Sequence, residues 1–256
     1  MSAKAEAGFR FYEELNDFLP PSRRKRDFCF PVNPGETVKH AIEACGVPHT
    51  EVDLILVNGE SVDFSCRLHA GDQISVYPRF ETFDISPIIR VREQPLRNSR
   101  FIADVHLGSL ARYLRALGFD TLYDRDYADE QIALISAGDQ RIVLTRDRDL
   151  LMHRIITHGR YVRARQVRRQ LIEVIESLDL YRSFAPFSRC MECNTSLVPV
   201  AKEQIRDRLP SDTQNYYTHF AQCTRCDNVY WKGSHFRRMQ QFFTDAFGEK
   251  LMAIRP

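Results

Sequence analysis

At 256 residues, 43% of them hydrophobic and 27% charged, the chain has the length for about two domains and enough apolar surface to bury a core. Its formal net charge of +2 excludes a polycation, so affinity for nucleic acid has to come from local patches. Apolar runs such as Leu54-Ile55-Leu56-Val57 fall short of the roughly 20 residues that span a bilayer. With no secretory apolar run in MSAKAEAGFRFYEEL either, a cytoplasmic protein without a membrane partner is expected.

In chain order, Phe9-Arg10-Phe11-Tyr12 alternates like a strand, and Phe28 to Val32 reads as a second. Val38, Ala41, Ile42 and Cys45 recur at a helical period between Thr37 and Gly46, with Gly46 placed as a C-cap. Asn58-Gly59 is a hairpin signal between two short strands, and Gln73 to Tyr77 supplies the last strand of a section spanning 1–78. This strand–strand–helix–strands order, with Asn58-Gly59-Glu60 and Ala70-Gly71-Asp72-Gln73-Ile74 at the sheet turns, resembles the β-grasp, ubiquitin-like fold of the small sulfur-carrier proteins. Those carriers end in a free Gly-Gly, whereas here the chain runs on through Pro78-Arg79-Phe80. A module that docks a protein partner or orients substrate is therefore expected. Residues 79–99, rich in proline and charge, read as a linker.

The next section, 100–185, alternates strand and helix. Phe101-Ile102-Ala103 is a short apolar strand that exits at Asp104. Leu107, Leu110, Ala111, Leu114 and Leu117 mark one helical face that ends at Gly118. Thr121 to Tyr123 makes a second strand, Ile132, Ile135 and Ser136 line a second helix, and Ile142 to Leu144 is a third strand that exits into Thr145-Arg146-Asp147-Arg148-Asp149. Such spacing predicts a parallel sheet covered by helices, and ligands of such sheets bind beyond the carboxyl ends of the strands. Asp104 and Asp147 stand at such ends. Asp124, Asp126, Asp129, Glu130 and Asp149 are further acids, and Arg112, Arg115, Arg146 and Arg148 can hold phosphate oxygens. Each acid also has a plain reading as a helix cap: Asp104 for the helix after it, Asp129 for the helix of Ile132, Asp149 for a helix beginning at Leu150. Spacing alone leaves a cation site and a merely charged sheet edge both open.

The ordered combination of Asp104-Val105-His106-Leu107-Gly108-Ser109-Leu110-Ala111-Arg112-Tyr113-Leu114-Arg115, then Leu117-Gly118-Phe119-Asp120-Thr121, then Thr145 to Leu150, resembles the Mut-seven carboxy-terminal RNase family of PIN-like nucleases. That resemblance implies an α/β, PIN-like parallel sheet with an acidic pocket, behind a β-grasp domain and before a zinc ribbon. It implies a Mg²⁺- or Mn²⁺-dependent ribonuclease in which Asp104 is the first-strand acid, Asp147 the acid of the Thr-Arg-Asp motif and Asp149 a third. Asp129 fits the helix acid best, with Glu130 and Asp124 as rivals.

Arg160-Tyr161-Val162-Arg163-Ala164-Arg165-Gln166-Val167-Arg168-Arg169 is the densest positive stretch, and Arg163 and Arg165 are expected RNA contacts. The plain reading is a solvated helix start, since Val167, Leu171, Val174, Ile175 and Leu178 describe a helix. In the last section, 186–256, Cys190-Met191-Glu192-Cys193 and Cys223-Thr224-Arg225-Cys226 are two knuckles that together suit one structural zinc ion, iron being the alternative. The interval accommodates an inserted helix around Lys202–Leu209, and His219 and His235 are reserve ligands. Trp231, with Tyr230 and Lys232, either stacks single-stranded RNA or packs the small zinc core. Cys29, Cys45 and Cys66 read as small buried hydrophobes. The alternative to a ribonuclease is a non-catalytic zinc-ribbon adaptor that binds RNA, single-stranded or structured.

Overall fold

In the computed structural model, residues 5–78 and 99–248 are described; the expected linker, apart from Ser99, lies outside them. Contacts divide the chain into two units, one of Met1–Asn98 with Ala128–Tyr161 and one of Ser99–Tyr127 with Val162–Pro256.

The first unit begins with β1 (Ala5–Phe11) and β2 (Phe28–Val32), paired antiparallel with Phe9 opposite Phe28. Helix α1 (Val38–Ala44) starts where Thr37 accepts a hydrogen bond from the His40 N–H, and its buried Val38, Ala41 and Ile42 follow the period expected of one face. Strands β3 (Val52–Val57) and β4 (Glu60–Val62) are joined at Asn58-Gly59, both at positive φ, which matches the right-handed twist of a hairpin. With β5 (Gln73–Pro78) parallel to β1, the sheet runs β2-β1-β5-β3-β4. Phe9, Phe11, Leu15, Ile42, Ile55, Leu68 and Ile74 fill its core.

The same unit holds α3 (Asp129–Asp139), β8 (Ile142–Thr145), α4 (Arg148–Leu151) and β9 (Gly159–Tyr161), with β8 and β9 parallel and Thr145 opposite Tyr161. Strand β9 overlaps the start of the basic stretch Arg160 to Arg169, whose plain reading is a solvated helix start. Its Arg160 is buried rather than solvated, with Nη1 facing Glu51 Oε2 at 3.3 Å and Nη2 facing Glu14 Oε1 at 3.5 Å. The Tyr161 N–H donates to Glu51 Oε1 at 2.5 Å, and the Tyr161 ring meets Phe18 edge-on at 5.2 Å. His49 bridges Glu43 Oε1 at 2.7 Å and the Ile156 carbonyl at 2.8 Å. The β-grasp sheet is therefore fastened to β9 by buried polar contacts as well as by apolar packing.

The second unit opens with β6 (Phe101–Ala103), α2 (Gly108–Ala116) and β7 (Thr121–Leu122), the strands parallel with Phe101 opposite Thr121. Leu110, Ala111 and Leu114 are buried on α2, which packs on α5 (Val167–Ser177), where Leu171, Val174 and Ile175 are buried. Beyond come β10 (Leu197–Val200), α6 (Lys202–Ile205), α7 (Ser211–Tyr216), β11 (Phe220–Cys223), β12 (Val229–Trp231) and α8 (Ser234–Phe247). The last three strands form an antiparallel ribbon in the order β10-β11-β12, and α6 lies where an inserted helix was expected. The chain is thus a mixed α/β protein with an N-terminal β-sheet domain, parallel strands covered by helices, and a C-terminal cysteine-bearing ribbon. Among the described residues no helix is long and apolar enough to cross a membrane.

Candidate metal centre and acidic strand ends

The two cysteine knuckles share one backbone design. The Cys190 N–H donates to the Thr195 carbonyl and the Asn194 N–H to the Cys190 carbonyl; Cys223, Asn228 and Asp227 repeat both bonds. Closing each turn requires a left-handed residue, and Asn194 (φ 68) and Asp227 (φ 63) provide it, as short polar side chains do at least cost. These two residues follow directly on each motif, but their role comes from the turn and not from the cysteine spacing.

The turns bring the four sulfurs within 4.8 Å of one another. Cys193 Sγ lies 3.3 Å from Cys223 and 3.6 Å from Cys226, and Cys190 lies 3.5 Å from Cys226. An ion held tetrahedrally at about 2.3 Å from each sulfur would set them about 3.8 Å apart, so a small relaxation admits one. Four thiolate donors with no open position suit a structural zinc ion. Without an ion, burial pushes Cys226 up to about 12. Burial also raises Cys193, but hydrogen bonds with Thr195, Cys223 and Cys226 outweigh it and bring that thiol to about 6. Tyr230 Oη lies 3.1 Å from Cys190 Sγ; burial, then that hydrogen bond, raises the phenol.

Arg115 belongs to this centre. Expected as a phosphate contact, it is buried, and its guanidinium donates to the carbonyls of Thr121 at 2.8 Å, Met191 at 3.1 Å and Glu192 at 2.6 Å. Burial lowers its pKa, opposed by the charges of Cys190, Cys193, Glu192 and Asp120. A fork of fixed donors aimed at three carbonyls holds the first knuckle in place and leaves no face for RNA. Asn194 adds to the hold, accepting from the Thr121 N–H at 3.0 Å and donating to Asp120 Oδ1 at 2.7 Å.

The acids divide between the units. In the second, Asp104 follows β6 directly and is 4% exposed, without a side-chain cap bond to the turn after it. In the first, Asp147 follows β8 and caps α4: its Oδ1 accepts from the Asp149 N–H at 2.8 Å while its own N–H donates to Thr145 Oγ1 at 2.8 Å. The plain reading puts the cap at Asp149, which instead lies exposed inside the first turn. Asp129 is the first residue of α3 and exposed; Gln131 Oε1, not Asp129, closes that helix start by accepting from the Ala128 N–H at 3.0 Å. Asp124 accepts from the Asp126 N–H at 3.0 Å in an exposed turn, and Glu130 is exposed beside Asp129.

A model of the Mut7-C RNAse domain matches residues 99–243, more than half of the chain. The chain belongs to the Mut7-C RNAse family. A model of the Mut7-C ubiquitin domain matches residues 4–84, so the Mut7-C chain carries its ubiquitin-like domain in front. No curated protein and no solved structure matches it. Within this Mut7-C domain the expected arginines differ in availability. Arg112 pairs with Glu192 at 2.8 Å with both side chains half exposed, Arg146 and Arg163 are half-buried, and Arg148 and Arg165 are exposed. The Glu173 carboxylate fixes the backbone leading into α5 by accepting from the N–H groups of Arg163 and Ala164 at 2.9 Å each. Of the three scattered cysteines only Cys45 is buried, which raises its thiol to about 12; Cys29 is exposed and Cys66 half-buried.

Proposed function

We propose that this Mut7-C chain is a metal-dependent ribonuclease that hydrolyses RNA phosphodiester bonds at its acidic strand ends, with zinc as a structural ion in the ribbon. The match of residues 99–243 to the RNAse-domain model carries the reading. On it, Asp104, Asp147 and Asp149, with Asp129 as the helix acid, would hold Mg²⁺ or Mn²⁺; an all-oxygen donor set suits a hard cation. When bound, such an ion supplies a water of lowered pKa and neutralises charge on the leaving oxygen. Arg112, Arg146, Arg148, Arg163 and Arg165 orient the phosphates, and the cap bond at Asp147 fixes the backbone that presents Asp147 and Asp149. The sections 1–78, 100–185 and 186–256 then have separate tasks: the first docks a protein partner, the second cleaves, the third holds RNA. The cytoplasm is the compartment that fits free thiols.

The test is cleavage of labelled single-stranded RNA by zinc-loaded protein, with and without added Mn²⁺. Cleavage is expected only with Mn²⁺, and Asp104→Asn should lose it while keeping its thermal melt. Cleavage by that variant at the parent rate overturns the assignment. One observation favours a second reading, a non-catalytic RNA-binding adaptor: the Asp147 carboxylate already has a structural task as a helix cap. Metal-stimulated cleavage excludes that reading.

A further inference from the structure

A cavity of about 170 Å³ opens in the second unit between the first knuckle, β12 and the start of α8. Its walls are flat and apolar. Trp231 and Phe236 face it together with Phe187, whose ring centroid lies 4.2 Å from that of Phe236, and Met191 and Met239 line the buried side. Its edge is polar, formed by the exposed Ser234 and His235.

Three observations bear on what fills it. The indole of Trp231, the chain's single tryptophan, is half-buried: it packs on Ile205, Leu209 and Phe220 and also lines the cavity. A core role thus accounts for only part of the ring. A Cβ at Gly233 would sit 2.6 Å from Trp231 Nε1, so the glycine lets the backbone lie close against the ring. Next in sequence to lining residues stand three exposed cations, Lys232, Arg237 and Arg238, of which Arg237 donates to Tyr217 Oη at 3.4 Å, and no Asp or Glu occurs from Asn228 to Thr244. Tyr230, also in the lining, is tied to the metal-binding knuckle through Cys190.

We infer that this cavity receives one unpaired nucleobase of a single-stranded RNA, stacked against Trp231 and Phe236, with the flanking phosphates held by Lys232, Arg237 and Arg238. Aromatic surfaces take any base through its π-face, and cations at the rim suit the backbone on either side. The inference rests on RNA being the substrate class and places a base-holding subsite on the ribbon, built from none of the acids proposed to hold the catalytic ion.

Trp231 is its own reporter. Zinc-loaded protein without added Mg²⁺ or Mn²⁺ is titrated with an eight-nucleotide uridine RNA, the same ribose-phosphate chain without bases, and duplex RNA. Binding is followed by anisotropy and stacking by tryptophan fluorescence. The expected result is quenching by the base-bearing single strand alone, unchanged in Asp104→Asn, with Phe236→Ala binding about 10-fold more weakly at an unaltered melting temperature. Equal quenching by the abasic chain, or RNA binding that leaves the fluorescence unchanged, overturns the subsite. Neither result touches the cleavage assay, so the two readings fail separately.

Discussion

Replacing Glu51 by glutamine tests the fastening between the β-grasp sheet and β9. The Glu51 side chain is fully buried, and its two oxygens serve the Tyr161 N–H and the Arg160 guanidinium. The amide keeps the shape and can still accept one hydrogen bond. It removes the charge that balances a guanidinium whose side chain is only 10% exposed, leaving Glu14, at 31% and 3.5 Å, as the remaining partner among these contacts. Breaking a buried pair from one side costs about 3–5 kcal/mol, and Glu14 offsets part of it, so about 3 kcal/mol is expected. For a chain of this size that lowers the melting temperature by about 6–12 °C. Glu14→Gln, at the exposed end of the same pair, should cost under about 1 kcal/mol. Differential scanning calorimetry measures both, and hydrogen exchange at the Tyr161 amide shows whether loss is local to β9. A Glu51→Gln melt within 1 °C of the parent, with that amide equally protected, would refute the reasoning.

Two further outcomes follow from the metal centre. Zinc affinity should fall as pH falls. Cys193 at about 6 is already a thiolate at neutral pH and binds without releasing a proton, whereas Cys226 at about 12 must release one at any ordinary pH. The decline therefore steepens below pH 6, where Cys193 also carries a proton; competition with a chromogenic chelator from pH 5 to 8 measures it, and a flat profile contradicts the assignment. Arg115→Lys should loosen the first knuckle, because one ammonium cannot reach the Thr121, Met191 and Glu192 carbonyls together. The expected signs are a lower melting temperature and faster zinc release with no change in the salt dependence of RNA binding; a shallower salt slope would return Arg115 to the RNA surface.

Where local pattern sets the element, the sequence was a good guide. The strand Phe28 to Val32, the helical period of Val38, Ala41 and Ile42 and the Asn58-Gly59 hairpin all form as expected, since each depends on residues within a few positions of one another. The knuckles were legible for the same reason: two thiols separated by two residues have one local use. Strand β9 was not legible. Three residues centred on an arginine show neither alternation nor apolarity, and Arg160 is admitted to the interior by Glu51, 109 residues away, with Glu14 as a second partner. Arg115 misled in the same way, because its partners lie 76 and 77 residues on. The α4 cap falls on Asp147, not on Asp149 as the plain reading has it, because Thr145 Oγ1 and the Asp147 carboxylate close the turn and the helix begins at Arg148, two residues before Leu150.

By itself, then, the sequence determined what neighbours along the chain decide: the ubiquitin-like order of elements, the parallel strands ending in acids, and the four sulfurs that suit one ion. Only the tertiary structure decided which charges are available. A side-chain arginine reads identically whether it faces water or a buried carbonyl, and the free energy that separates the two comes from partners the chain brings in from far away. For that reason Arg115 leaves the list of RNA contacts and Arg160 becomes a buried ion-pair partner, while Phe187 and Phe236, ordinary hydrophobes in the sequence, join Trp231 in the walls of a cavity.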